Sequence, residues 1–276
     1  MIVLNEKAYA QDCIRRGDLG DNIYQTLMII AKYYYSLGYK RKKVVSFMND
    51  FMEAGYINNN LNRKYWSDKI EKIANDVRKT PLYEIDGVWI TDQEIETIDK
   101  LDDKNMRLVA FTLLCLSKYW NKRNKKNNYW VRNSTKEIFD LSRANCKASE
   151  RDFMIGDLRN LGYIELPVNN VNLSIRVKFA NENAKKVLFV DDFRELGYWY
   201  MKYKGENITR CHECGILMRD NKYKNKKYCN KCVKHTTVGV KLITCVDCGK
   251  QFYIRSKNNK TRRCPDCQEK HSHKTT

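Results

Sequence analysis

The strongest constraint on this chain of 276 residues is a cysteine pattern that occurs twice near the C-terminus. In the first repeat, a Cys-x-x-Cys-Gly segment at 211–215 is followed by a Cys-x-x-Cys pair at 229–232, with 14 residues between Cys214 and Cys229. The second repeat has its pairs at 245–249 and 264–267, with 15 residues between Cys248 and Cys264. Two cysteines separated by two residues can coordinate one metal ion, and the glycine permits the tight turn that points both sulfurs toward the metal.

Four cysteines per repeat complete a closed tetrahedral site for zinc. We therefore predict two structural zinc ions, held by Cys211, Cys214, Cys229 and Cys232 and by Cys245, Cys248, Cys264 and Cys267. Ligation within each repeat is favoured over a cross-brace because each half carries the whole motif. Disulfides require an oxidising compartment, while iron-sulfur or redox chemistry explains the two matching repeats less well. A closed site activates no water, so its role is to stabilise a ribbon that lacks a core of its own.

The chain is strongly basic, and its charge is unevenly placed. It contains 52 Lys and Arg against 33 Asp and Glu, which gives a formal net charge of +19. Residues 204–276 contain 18 of the basic and six of the acidic residues, a net +12. A chain this positive attracts polyanions, of which nucleic acid is the commonest in a cytoplasm. An acidic protein surface is the alternative partner, and the Lys and Asn content of an AT-rich genome is a compositional explanation.

Basic and aromatic residues alternate between the cysteine pairs of each repeat. This combination suits phosphate contact with base stacking, as in single-strand and RNA binders. A solvated charge run on a protein-binding ribbon is the other interpretation. The predicted nucleic-acid contacts of the two repeats are Arg219, Lys222, Lys224, Lys226, Lys227, Arg255, Lys257, Lys260, Arg262 and Arg263.

Residues 1–81 have the apolar periodicity of amphipathic helices and are predicted to form a small helical bundle. Asp21 and Ser67 are the expected N-caps of two helices. Gly38 and Gly55 are expected to end helices, and Pro81 to close the third. No chemistry is assigned to this region.

Residues 82–205 follow the order of a winged helix: a helix, a short helix, a turn, a second helix and a β-hairpin. In that fold the second helix can enter the major groove while the hairpin contacts phosphate. A closing helix is expected from Asp191 to about Lys204. The other predicted elements are a strand at Tyr83–Ile90, helices at Met106–Trp120, Ser134–Leu141 and Ser149–Leu161, and a hairpin that pairs Tyr163–Leu166 with Leu173–Phe179.

The second helix of this pattern has an unfavourable charge for DNA. Arg151 is a candidate for reading bases, but three acids between 149 and 161 repel phosphate. Arg176 and Lys178 are candidate phosphate contacts on the hairpin. Further basic candidates flank the helix: Lys118, Lys122, Arg123, Lys125, Lys126, Arg143 and Lys147. A winged helix also docks proteins, so a structural or protein-binding role stays open.

The predicted fold class is α+β, mainly α, in four parts. These are a helical domain at 1–81, a winged-helix-like domain at 82–205, and zinc ribbons at 206–240 and 241–276. The longest mainly apolar stretch, Leu108–Leu116, is too short to span a bilayer, so we expect a cytoplasmic protein with no membrane partner.

No enzymatic activity is expected. All four histidines lie at or beyond position 212, which leaves residues 1–211 without a general base of that type. The phosphate-loop, dinucleotide and zinc-protease motifs are absent, and no small-molecule substrate is evident. A metal-dependent nuclease that uses carboxylates and lysine is one enzymatic alternative, and a zinc-stabilised nuclease would have to find its base among His271 and His273.

The layout resembles a recurrent type of hypothetical protein from phages and prophages of Gram-positive bacteria. The resemblance is carried by Tyr83–Ile90, by Asn160–Leu166, by Phe189–Tyr198 and by the tandem Cys-x-x-Cys-Gly repeats. It covers most of the chain and implies phage or mobile-element biology inside a host bacterial cell. The expected function is a nucleic-acid-binding accessory or regulatory protein of transcription or replication. The alternative is an interaction protein that inhibits or redirects a host machine, such as RNA polymerase, a CRISPR effector or another defence complex.

Overall fold

The computed structural model describes residues 2–59, 61–167, 174–220, 227–230, 232–233, 240–249, 251–255, 262–264 and 267. The chain has a mixed α/β fold and divides into two compact units, an N-terminal body (Met1–Glu206) and a C-terminal segment (Asn207–Thr276). Within the described ranges there are nine α-helices and nine short strands. None of the helices in those ranges combines the length and apolar character needed to cross a membrane.

Four helices open the N-terminal body: α1 (Glu6–Arg16), α2 (Ile23–Ser36), α3 (Arg41–Asn59) and α4 (Arg63–Asp76). They pack around fully buried apolar side chains, among them Leu27, Ile30, Met48 and Ile73. On α2, α3 and α4 the buried apolar residues form one stripe along each helix, which is the pattern that the sequence predicted.

Several predicted helix ends in this region were wrong. Asn22, not Asp21, caps α2, because its Oδ1 accepts the backbone N–H of Gln25 at 3.0 Å. In the same way Asn62 caps α4, which places Ser67 inside that helix. Helix α3 continues past Gly55, and α4 ends at Asp76, before Pro81 is reached. Helix α1 was not predicted, because few of its residues are apolar and buried.

The rest of the N-terminal body is built around one long helix. The elements are β1 (Val88–Thr91), α5 (Asp92–Asp99), α6 (Lys104–Arg123), β2 (Trp130–Val131), α7 (Thr135–Ser142), α8 (Arg151–Asn160), β3 (Ile164–Glu165), β4 (Ile175–Val177), β5 (Lys186–Val190) and α9 (Leu196–Tyr203). Helix α6 is buried on more than one face, as its sequence predicts, and lies at the centre. Strands β1 and β5 form an antiparallel pair, and β2, β4 and β3 form a sheet in that order.

The predicted hairpin pairs in the expected antiparallel sense, with Ile164 opposite Val177 and Glu165 opposite Arg176. Its strands are shorter than the predicted ones, and the intervening residues 168–173 lie outside the described ranges. The predicted strand at 83–90 is also shorter, since regular pairing begins only at Val88. Helix α9 begins at Leu196, later than the expected Asp191. Strand β2 and helix α5 were not predicted.

Two buried ion pairs join elements of the N-terminal body. Glu6 of α1 binds Lys32 of α2, with Nζ to carboxylate distances of 3.0 and 3.1 Å. Glu94 of α5 binds Lys118 of α6 at 2.8 Å, with side chains 0% and 3% exposed. The prediction that Lys118 is available to phosphate was therefore wrong, because its ammonium is enclosed.

Other basic candidates on the flanks of α8 are also engaged within the body. The guanidinium of Arg123 lies 3.9 Å from the ring centroid of Tyr83 and donates to the hydroxyl of Tyr119. Arg143 makes a bidentate ion pair with Glu195. Lys122 donates to the carbonyl oxygen of Gly87 at 2.6 Å but keeps an exposed side chain. Arg123 and Arg143 therefore hold elements together, which weakens their assignment as phosphate contacts.

The C-terminal segment contains two hairpins. Strands β6 (Ile208–Arg210) and β7 (Leu217–Arg219) pair around the first Cys-x-x-Cys, and β8 (Val240–Thr244) and β9 (Gln251–Arg255) pair around the third. Each cysteine repeat therefore begins at the tip of a β-hairpin.

Candidate metal centres

The tip of each hairpin is a tight turn that needs glycine. Gly215 and Gly249 both have φ of +70°, in the left-handed region that side chains disfavour. The N–H of Gly215 donates to the carbonyl oxygen of Cys211 at 2.9 Å, and that of Gly249 donates to Cys245 at 3.0 Å. The turn brings the first and second cysteine of each repeat to one side, which explains the Cys-x-x-Cys-Gly sequence.

The segment that contains the second cysteine pair is joined to the hairpin by two hydrogen bonds, which are equivalent in the two repeats. The N–H of Cys229 donates to the Sγ of Cys211 at 3.3 Å, and that of Cys264 donates to Cys245 at 3.3 Å. The carbonyl oxygens of Lys227 and Arg262 accept from the N–H groups of His212 and Val246 at 2.9 and 3.1 Å. The repeat in the sequence is therefore also a repeat in three dimensions.

The eight cysteines form two groups of four, and in each group all sulfurs lie within 4.8 Å of one another. The Sγ atoms of Cys214 and Cys229 are 3.7 Å apart, and those of Cys248 and Cys264 are 3.6 Å apart. A tetrahedron with metal–sulfur distances of ~2.3 Å has edges of about 3.8 Å, whereas a disulfide bond measures ~2.05 Å. The two groups therefore have the spacing of metal ligands, and they are the same two sets of four that the sequence predicted.

The electrostatics of each group favour a bound cation. Burial raises the pKa of Cys211, but backbone N–H donors, including that of Cys229, outweigh it and lower the pKa to about 6. The N–H of Cys264 is the main cause that lowers the pKa of Cys245 to about 6. Hydrogen bonds with Cys248 and Cys264 raise the pKa of Cys267 to about 12. In the first group, burial and hydrogen bonds with other cysteines raise the pKa of Cys232. Each group can thus hold one thiolate readily but resists further negative charge, which a divalent cation would neutralise.

A metal ion held by either group would be coordinated by four sulfurs. Four sulfur ligands fill a tetrahedral coordination shell and leave no position for a reactive water. Cys211 of the first group and Cys245 and Cys264 of the second are buried. In the described residues the apolar clusters of this segment consist largely of the cysteines themselves, with Met218 and a few half-buried neighbours in the first repeat.

Some of the predicted nucleic-acid contacts lie beside these centres. Lys227 and Arg262 occupy equivalent positions in the two repeats, and both are exposed. Arg219 is exposed at the end of β7, Arg255 ends β9, and Arg263 binds Asp247 at 2.6 Å. The remaining predicted contacts of the repeats, Lys222, Lys224, Lys226, Lys257 and Lys260, lie outside the described residues.

The predicted contacts on the N-terminal body are dispersed. The guanidinium of Arg151 lies 5.4 Å from the ring centroid of Phe139 and 4.0 Å from the carboxylate of Asp140. Arg176 donates to Glu165 at 3.2 Å, while Lys178 is exposed. Nothing in this geometry gathers the three into one site.

The sequence interpretation missed two exposed apolar residues. Phe153 and Leu161, on and just after α8, are 76% and 60% exposed. Gly156 lies between them, and a Cβ atom there would meet nothing within 4 Å. Their signal in the sequence is an apolar residue off the buried stripe of the helix, which contains Ile155 and Leu158.

The two four-cysteine groups are the most specific chemical feature of the described chain. Each can hold one metal ion in a closed shell. Comparison with models of known protein families, with curated proteins and with solved structures finds no match.

Proposed function

We propose that the protein is a zinc-stabilised, basic nucleic-acid-binding accessory or regulatory protein of a phage or mobile element, acting in the control of transcription or replication. The C-terminal segment supplies most of its phosphate contacts. The observation that carries this proposal is the pair of closed four-cysteine groups within the most basic part of the chain. Such groups stabilise a rigid backbone that carries the surrounding Lys and Arg side chains. This rigidity reduces the entropy lost when those side chains bind phosphate.

Zinc is the metal that best suits the donor set. Thiolates are soft ligands, and four of them in a closed tetrahedral shell are typical of structural zinc. Cys211, Cys214, Cys229 and Cys232 bind one ion and the four cysteines of the second repeat bind the other. When bound, the metal supplies folding free energy, on the order of 10–16 kcal/mol for structural zinc at neutral pH. It supplies no reactive group.

Phosphate contact is supported by the charge that surrounds the two groups. Residues 204–276 have a net charge of +12, and counting each zinc with four thiolates as −2 still leaves it well above zero. Lys227 and Arg262 place one exposed cation at the same position of each repeat. Contacts with phosphate carry no sequence information, so we expect slight sequence preference.

We further propose that a winged helix lies within residues 104–180. The proposal is supported by the order α6, β2, α7, α8, β3, β4 and by the sheet order β2-β4-β3. In that fold α8 corresponds to the recognition helix. Three acids, Glu150, Asp152 and Asp157, lie in or next to α8, and Arg151 is close to Asp140. Both features argue against insertion of α8 into the major groove. Phosphate contact is therefore assigned to the C-terminal segment.

A second candidate function is favoured by exposed apolar residues on and just after α8. Phe153 on the helix and Leu161 after it offer an aromatic and an aliphatic anchor, and the helix carries the acids Asp152 and Asp157, which suits a protein interface better than DNA. In this alternative the protein inhibits or redirects a host machine, such as RNA polymerase, a CRISPR effector or another defence complex.

The proposed function predicts a salt dependence that belongs to the C-terminal segment. Changing Lys222, Lys224, Lys226 and Lys227 together to glutamine should reduce the slope of log K against log salt by about 3 to 4 on random duplex DNA, since each contact contributes about 0.9. The measurement is fluorescence anisotropy with full-length protein at several salt concentrations.

The matched control removes four exposed lysines of the N-terminal body, Lys40, Lys42, Lys64 and Lys72. This variant has the same net charge as the C-terminal variant. Its four substitutions lie outside the proposed phosphate contacts, so it should keep most of the wild-type slope. Equal slopes for the two variants would show that the binding is a bulk charge effect, and absence of binding by the wild type would favour the protein-interaction alternative.

A further inference from the structure

The N-terminal body contains a second group of lysines, beside the sheet formed by β1 and β5. A cavity of about 160 Å³ opens there, and its lining includes Val88, Trp89, Lys118, Lys122, Glu182 and Lys186. None of these residues belongs to the cysteine repeats. The cavity is therefore a separate site, independent of the C-terminal segment.

Lys118 lines the cavity and is held in place by its polar partners. Its ammonium lies 2.8 Å from both carboxylate oxygens of Glu94 and 2.7 Å from the carbonyl oxygen of Trp89. Glu94 also accepts the N–H groups of Thr91 and Asn181 at 2.8 and 2.7 Å. The three N–H donors of Lys118 are therefore used, and the pair holds β1 and α6 in a fixed arrangement.

The two other lysines carry charge that is not compensated within the described part of the chain. Neither Lys122 nor Lys186 has a carboxylate within 4.0 Å there. Lys122 donates one N–H to the carbonyl oxygen of Gly87 at 2.6 Å, which positions its ammonium and leaves two donors. Glu182 contributes one negative charge to the lining, so the two lysines leave the cavity net positive.

Trp89 provides an aromatic surface beside these cations. It occupies the outward position of β1 and is 42% exposed. The ring of Phe189, opposite it on β5, lies 4.8 Å away between centroids and supports it. The ammonium of Lys186 is 5.9 Å from the centroid of the Trp89 ring. An aromatic ring packed against a second ring, with two ammonium groups lining the same cavity, is the combination that binds a base and its phosphate.

We propose that this cavity binds a nucleotide, with the phosphate held by Lys122 and Lys186 and the base stacked on Trp89. The volume suits a phosphate and part of its sugar, so the base lies at the mouth, on the exposed ring. A free nucleotide and the phosphorylated end of a strand present the same chemistry. The inference goes beyond the proposed function, because it requires no residue of the C-terminal segment.

The test is calorimetric titration of the full-length, zinc-loaded protein with AMP, inorganic phosphate and a 5′-phosphorylated or 5′-hydroxyl hexanucleotide. We expect AMP to bind, and K122Q/K186Q to weaken AMP at least about tenfold, because hydrogen bonds to charged groups are lost. K185Q is the matched control, since Lys185 is exposed and adjacent to Lys186 but is not among the residues of the cavity. It should leave the affinity for AMP unchanged.

The role of the ring is tested separately. W89L should weaken AMP about tenfold and leave phosphate binding unchanged, while W89F should restore most of the affinity for AMP, because a stacking surface is regained. Circular dichroism checks that each variant is folded. Preference for the 5′-phosphorylated hexanucleotide over AMP would identify a strand end as the source, and the reverse would identify a free nucleotide.

Three results would overturn the proposal: no AMP binding at millimolar concentration, equal loss of affinity in K185Q and K122Q/K186Q, or binding of a glutamate-rich peptide with the same dependence on Trp89. The last result would assign the cavity to an acidic protein segment. None of them bears on the salt slope of the C-terminal segment, so the two proposals fail separately.

Discussion

Changing Cys248 to serine is expected to remove one of two zinc ions per chain and to unfold the second repeat. A serine hydroxyl cannot replace a thiolate in a closed four-sulfur site, and the buried cluster found among the described residues of this repeat consists of three of its ligands, Cys245, Cys264 and Cys267. The lost metal contributes on the order of 10 kcal/mol to the folding of that repeat. Cys214→Ser should do the same to the first repeat, because each group of four lies within one repeat.

Elemental analysis and native mass spectrometry measure this effect, with far-ultraviolet circular dichroism as the check on the helical N-terminal body. Cys146→Ser is the matched control, since Cys146 lies outside both groups. It should keep two zinc ions. Loss of both ions in Cys248→Ser would indicate one shared centre, and iron with visible absorbance would overturn the assignment of the metal.

Among the glycines of the N-terminal body that the structure describes, Gly197 is expected to tolerate alanine least. Gly197 lies in the first turn of α9, where a Cβ atom would sit 1.7 Å from the backbone carbonyl oxygen of Ser142 at the end of α7. A backbone atom cannot turn aside as a flexible side chain does, so α7 and α9 must separate. We expect a loss of about 4 kcal/mol or more in the free energy of unfolding, at the upper end of overpacking effects.

Gly156→Ala is its matched control. Gly156 lies inside α8, and a Cβ atom there would contact nothing within 4 Å. Alanine has the higher helix propensity, so this variant should gain up to about 1 kcal/mol. Urea unfolding monitored by circular dichroism measures both variants. A Gly197→Ala protein as stable as the wild type would mean that α7 and α9 do not pack as closely as described.

The sequence predicts the two four-cysteine groups well because their signal is local. A Cys-x-x-Cys-Gly turn places two sulfurs together by backbone geometry alone, and the repetition of the motif identifies the partners. The amphipathic stripes of α2, α3 and α4 are local in the same sense. Their exact ends were less predictable, because several polar residues in a row can serve as a cap, as Asp21 and Asn22 illustrate.

The environment of single lysines and arginines was not predictable, because it depends on distant partners. Lys118 lies close to a basic run, so the sequence suggests a surface residue. In the structure it is buried and paired with Glu94. The capping box at Thr91 and Glu94 is a sequence signal that would have found α5. The cavity beside Trp89 was missed for a similar reason, since Lys122 and Lys186 lie on α6 and β5, which are far apart in the chain.

The most direct test of the central claim is to map the residues that contact nucleic acid. Full-length, zinc-loaded protein is crosslinked by ultraviolet light to a random-sequence oligonucleotide pool, and the crosslinked peptides are mapped by mass spectrometry. We predict that most crosslinks fall within residues 206–276, in both repeats, and that they disappear when a chelator removes the zinc. Crosslinks confined to residues 104–178, or none above background, would contradict the assignment of nucleic-acid binding to the zinc-stabilised repeats.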